Sequence, residues 1–267
     1  MCHPRRIVFV GASIALAAVF CLVGGSAHAI PVVWSGDMIN PETGMYLSAT
    51  AELDVLGGNL VVTLSNVGGE VMTPTDVLTA VVFELPKNTE GNPTVSLTPI
   101  SAMVPLSSTV VYGLMGGLDG ARSVGGEWCY SITPPPTGIG SAGLGTFGSP
   151  MDDAYFDIRN LQGPANVDGI QYGITSLIDN VSPTLHNVYG NAAVTGDNAL
   201  IQNSVVFTLA ITGDLDPRDI YDLHFWYGTG AEGADIPGVP EPVSMVMLGC
   251  LGAGMLAARK LRGKRAA

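Results

Sequence analysis

The chain has 267 residues, 47% of them hydrophobic and only 13% charged, with a formal net charge of −12. Seven of its 11 basic residues lie near the ends, and between Ile30 and Pro240 only Lys87, Arg122, Arg159 and Arg218 face 22 acidic residues, a balance of −18. Phosphate backbones require Lys and Arg contacts, so no nucleic-acid partner is expected of such a body.

At the N-terminus, Arg5 and Arg6 precede an apolar run from Ile7 to Val23 that ends in Gly24-Gly25-Ser26-Ala27-His28-Ala29. Small residues at Ala27 and Ala29 fit the A-x-A pattern after which signal peptidase cuts, so residues 1–29 read as a signal peptide and Ile30 as the mature start. An uncleaved anchor is the alternative. Of the four cysteines, Cys2, Cys21 and Cys250 lie in the terminal segments, which leaves Cys129 alone in the mature body. An intramolecular disulfide and a Cys-based zinc site are thereby excluded there. Flanked by Trp128 and Tyr130, the thiol is expected to be a small buried hydrophobe.

The body alternates with a period of two. Leu47 to Val55 (LSATAELDV) places one face in a core and the other in water. Gly57-Gly58-Asn59 then supplies a tight reversal, and Leu60 to Ser65 returns as the partner strand. Further strands are expected at Val77 to Glu84, Thr94 to Leu97, Trp128 to Ile132, Gly169 to Thr175, Ser204 to Ile211 and Asp222 to Tyr227. Short helical turns fit Val110 to Leu118 and Pro217 to Tyr221. Gly138 to Gly145, behind three prolines, reads as a flexible surface loop. Its GxGxxG-like spacing does not join a strand to a helix, so it is no dinucleotide fingerprint. Many half-buried strands without a helical layer imply one antiparallel β-sandwich, jelly-roll-like, over 30–227. Residues 228–238, rich in Gly and Ala, read as a spacer.

The C-terminal 239–267 carries Pro240-Glu241-Pro242, then 16 uncharged residues from Val243 to Ala258, then Arg259, Lys260, Arg262, Lys264 and Arg265. As a helix that run reaches about 24 Å, against about 30 Å of hydrocarbon. Snorkelling side chains and local thinning make a spanning helix over 243–258 feasible, with the basic cluster kept on the cytoplasmic side.

In this order the three parts resemble the PEP-CTERM sorting signal. The resemblance implies recognition by exosortase, a membrane-embedded cysteine protease, transient residence in the inner membrane, and export to the cell surface or medium. It also implies an association with exopolysaccharide and biofilm matrix. A plain tail anchor is the alternative. The body is similar in several stretches to the XDD-type exosortase-dependent surface proteins: PTDVLTAVVFE from Pro74, GEWCY from Gly126, LQGPANVDGIQYGITS from Leu161, IQNSVVFTL from Ile201 and FWYGT from Phe225. That likeness implies surface location and lends no catalytic residue.

No G-x-S-x-G, H-E-x-x-H or metal-ligand cluster appears, so no catalytic, cofactor-binding or metal residue is assigned. His186 and His224, the two histidines of the mature body, each lack an identifiable partner in the sequence. Asp152, Asp153 and Asp157, or Asp214, Asp216, Asp219 and Asp222, offer oxygens for Ca²⁺. Neither set matches the D-x-[DN]-x-[DN]-G loop, and turn chemistry accounts for both. The expectation is a non-enzymatic surface or matrix protein. A carbohydrate-binding module using Trp34, Trp128 and Trp226 is the second reading, and an extracellular hydrolase with paired carboxylates the third.

Overall fold

A computed structural model describes residues 30–111, 122–131, 137–141, 153–156, 170, 172–179, 200–229 and 233–241. The described residues form an all-β fold of two sheets, with 3₁₀ turns as its only helical elements. The first sheet begins with β1 (Val32–Ile39), β2 (Tyr46–Leu56) and β3 (Asn59–Asn66), joined as an antiparallel meander. Leu47, Ala49, Ala51 and Leu53 point inward from β2, as the alternation requires. Gly57 and Gly58 adopt φ of 58° and 82°, the double left-handed geometry of a two-residue hairpin turn.

The chain then changes sheets. β4 (Leu78–Glu84) enters the second sheet, and β5 (Ser96–Met103) returns to the first. The second sheet also takes β6 (Thr109–Val111), β7 (Trp128–Ser131), β8 (Gly138–Ser141), β9 (Asp153–Tyr155), β10 (Ile174–Thr175) and β11 (Leu200–Gln202). At Asn203, with φ of 86°, the chain crosses again into β12 (Ser204–Thr212), which bridges β3 and β5. β13 (Tyr221–Tyr227) and β14 (Asp235–Pro237) complete the second sheet, and β15 (Val239–Pro240) is the outer strand of the first.

Leu78 pairs with both Ile174 and Tyr227, and Ala80 with both Gly140 and Trp226. β4 is therefore the spine of the second sheet, with β13 on one flank and β10 and β8 following one another along the other. Between the sheets one core collects Leu53, Leu64 and Leu209 from the first and Val81, Phe83, Tyr130 and Phe225 from the second. Phe207 of β12 meets Trp128 at 4.9 Å and Phe156 at 5.2 Å, an aromatic contact across the layers. Burial of each large side chain contributes about 1.5–3 kcal/mol, which is how the body is held without a disulfide.

Three expectations are corrected. Gly138–Ser141 is not a surface loop but strand β8, buried between β4 and β7. Gly140 lies opposite both Ala80 and Cys129, where three neighbouring strands fit together because those side chains are small or absent. Val110 and Val111, expected at the start of a helical turn over Val110 to Leu118, lie in strand β6, with 112–118 outside the described residues, whereas Pro217–Asp219 does form a 3₁₀ turn. Of the described residues in the stretch expected from Gly169, only Ile174–Thr175 is a strand. Cys129 is fully buried, as its setting implied.

Candidate functional site

The segment expected to carry a sorting signal begins inside the folded domain. β14 lies antiparallel to β13, with Phe225 opposite Ile236 and Trp226 opposite Asp235. Ile236 is 2% exposed and belongs to the shared core. The Gly238 N–H donates to the Leu223 carbonyl at 2.7 Å, and the chain then leaves the second sheet for the first. There β15 pairs with β1, placing Val239 opposite Ser35 and Pro240 opposite Trp34. The Glu241 N–H closes the contact by donating to the Val33 carbonyl at 2.7 Å.

Residues 235–241 thus form a strap over one side of both sheets. Composition had placed Asp235–Pro237 in a spacer, but these residues are a strand with a buried isoleucine. Gly238 is required at the crossing: a Cβ there would lie 2.9 Å from Leu223 Cδ2 and 3.3 Å from Trp34 Cε3. Proline suits β15 because an edge strand leaves one side of its backbone unpaired. Of the residues expected to form a sorting signal, Pro240 and Glu241 are described. Pro242, the run 243–258, Arg259, Lys260, Arg262, Lys264 and Arg265 lie outside the described residues, as do Ala27 and Ala29 of the expected signal-peptidase site. Among the described residues no helix is long and apolar enough to cross a membrane.

The strap also supplies a partner that the sequence concealed. His224 Nδ1 lies 2.8 Å from Asp235 Oδ1 of β14, and Nε2 lies 3.3 Å from Asp222 Oδ1. Partial burial pushes the imidazole pKa down, but the two carboxylates outweigh it and the net shift is upward. The pairing could not be read from spacing, because Asp235 is 11 residues away and joins only through the β13–β14 ladder. A carboxylate on each nitrogen makes a charged anchor between strands; no serine or cysteine nucleophile is among its hydrogen-bond partners. His186 lies outside the described residues.

Among the described residues the acidic sets do not converge. Asp216 accepts from the Arg218 backbone N–H at 3.0 Å, from Nε at 2.9 Å and from Nη2 at 2.6 Å, which caps the 3₁₀ turn. Asp222 faces His224, and of the other set only Asp153 is described, in β9. Among the described residues no three or more His, Cys, Asp or Glu side chains are grouped to hold an ion.

A different aspartate is the best-connected polar group among the described residues. Asp76, 1% exposed, accepts from Asn40 Nδ2 at 2.7 Å and Thr43 Oγ1 at 2.8 Å on one oxygen. Its other oxygen accepts from the N–H groups of Met72 and Thr73 at 3.1 and 3.0 Å and from Thr73 Oγ1 at 3.2 Å. It ties the β1–β2 loop to the turn before β4. Asp179, 7% exposed, holds the Val71 N–H at 2.8 Å, and burial pushes its carboxyl up to about 6.

The tryptophans expected as a sugar platform are dispersed. Trp34 and Trp128 are 8% and 0% exposed, so neither ring face is open, and Trp226 is half-buried against Ala80, Val82 and Cys129. The chain matches no protein-family model, and no curated protein or solved structure is detectably similar to it.

Proposed function

We propose that this is a non-enzymatic exported protein of the cell surface or extracellular matrix, sorted through its C-terminal 239–267 by an exosortase. One observation carries the reading: Pro-Glu-Pro, starting at the last residue of β15, is followed in order by an uncharged run and a basic cluster. In this reading the mature body is a single β-sandwich whose chain alternates between layers in the manner of a jelly roll. Its charge of −18 keeps it soluble outside the cell and leaves exopolysaccharide, rather than nucleic acid, as the matrix component it accompanies.

The strap adds a mechanical feature to this reading. Val243, the first residue of the apolar run, is two positions beyond Glu241, a reach of about 7 Å for extended chain. A body anchored by that run rests directly against the membrane, with the β1–β15 edge nearest to it. Proteases commonly bind extended peptide, so a cut before Pro242 requires β15 to leave β1. A cut after Pro242 leaves the strap in place.

The test replaces Pro240-Glu241-Pro242 by alanines in the producing cell and follows mass and location, with the melting temperature of the purified domain as a folding control. Retention of the basic tail and accumulation in the inner membrane are expected. Unchanged processing and location would reduce the tail to an ordinary anchor. The carbohydrate-binding reading based on the tryptophans loses support from the burial of Trp34 and Trp128.

A further inference from the structure

One end of the sandwich opens between the sheets. The cleft there has a volume of about 520 Å³ and is bounded by the end of β4, the segment leading into β5, the start of β8 and the end of β12. That size falls in the range of small-molecule sites. Tyr130 of β7 lines it. The residue is 2% exposed, yet its hydroxyl has no hydrogen-bond partner among the described residues. The oxygen is not sealed off from solvent, so it is open to the cleft and available to whatever enters there. Burial holds its pKa well above the ordinary tyrosine value, so the group remains a donor at neutral and mildly alkaline pH.

The remaining lining narrows the chemistry. Its charged groups are Glu84 and Lys87, joined at 2.6 Å, so the cleft carries no net charge. An anion would meet a lysine already neutralised by its carboxylate. A metal ion would find one carboxylate, also engaged. What the cleft does offer is hydroxyls, from Thr94, Ser96, Thr137 and Thr212, beside the apolar walls of Leu85 and Leu97. Hydroxyl and ion-pair partners around an apolar wall match a ligand with many hydroxyls and an apolar C–H face.

We propose that this cleft binds a terminal sugar of a neutral glycan, with the Tyr130 hydroxyl at its floor and the Glu84–Lys87 pair gripping adjacent ligand hydroxyls at its mouth. The site is separate from the tryptophans, and sugar enters it end-on rather than lying across a ring. The inference does not depend on the sorting route, since it concerns the folded body alone.

The test titrates the purified full chain in detergent with glucose, galactose and mannose, and with linear trimers of each, following tyrosine and methyl NMR shifts. Binding of at least one of these, with shifts at Thr137 and Tyr130, is expected. Tyr130→Phe should weaken it at least tenfold without lowering the melting temperature, because the hydroxyl removed makes no hydrogen bond in the fold. Glu84→Gln should weaken it as well. A trimer that binds more tightly than its monosaccharide identifies polymer ends as the ligand, and equal affinity identifies free sugar. Absence of binding by all six probes, binding unaltered by Tyr130→Phe, or preference for a uronic acid over its neutral parent would overturn the proposal. None of these results alters where the protein is sorted, so the two readings fail separately.

Discussion

Trp34 in β1 lies opposite Pro240 in β15, so the first proline of the proposed sorting signal is part of the first sheet. The folded body therefore extends to Glu241, whose N–H is held by Val33. Removal of 235–267 from the mature chain should destabilise it far more than removal of 242–267. The first deletion removes one of the two partners of β13 and of β1 and uncovers the core that Ile236 covers, while the second touches no described strand. Thermal unfolding of the two truncated proteins reads this directly; equal melting temperatures would mean that the strap is dispensable.

Gly238→Val tests the crossing itself. The added side chain meets Leu223 and Trp34 at distances that packed atoms do not tolerate. Overpacking of this kind costs about 1–3 kcal/mol, and each kcal/mol lowers the melting temperature of a domain this size by about 2–4 °C.

Asp76→Ala should be among the most damaging substitutions in the body. It strands donors on Asn40, Thr43, Met72 and Thr73 in a buried setting. A loss of about 2–4 kcal/mol is expected in urea unfolding. Asp76→Asn, which keeps one carbonyl oxygen, should lose less.

Two groups make the body more stable in mild acid than in base. The folded pKa of Asp179, about 6, lies above its unfolded value, so the folded state binds the extra proton between about pH 4 and 6. Stability from this group is greatest at low pH and falls as pH rises through 6. His224 acts in the same direction: its folded pKa is also raised, so its contribution is complete below the unfolded pKa of about 6.5 and is lost as pH rises through the higher folded value. The melting temperature should therefore be higher at pH 5.5 than at pH 8 before other groups are counted. Asp179→Asn should flatten the lower part of the profile and His224→Gln the upper part.

Cys129 should be silent in the folded protein. Its side chain is fully buried, with Sγ 3.7 Å from the Gly140 carbonyl. In a protein spanning 30–241, a thiol reagent should react with one group per chain in denaturant and with essentially none in native buffer. Rapid native labelling would contradict the packing of β7 against β8.

Much of the sheet pattern was legible where one face is wet. The β2–β3 hairpin appeared with its turn because alternation and Gly57-Gly58 agree, and β12 and β13 were located nearly to their ends. Strand β1 was missed because Ser35-Gly36-Asp37 imitates a turn. The glycine is there because Ile236 and Phe225 press on it, with a Cβ landing 2.9 Å from Ile236 Cγ2. β8 was missed for a similar reason: its glycines serve close packing in a strand buried on both faces, where no alternation is left to read. The His224–Asp235 pair and the Tyr130 cleft depend on long-range pairing. Neither leaves a local trace.

The central claim is tested most directly by the intact mass of the protein recovered from the surface or medium of the producing cell. The account predicts a chain that begins at Ile30 and lacks Arg259 to Ala267. A recovered species that retains the basic tail would contradict it, leaving a folded acidic domain held at the inner membrane by an uncut anchor.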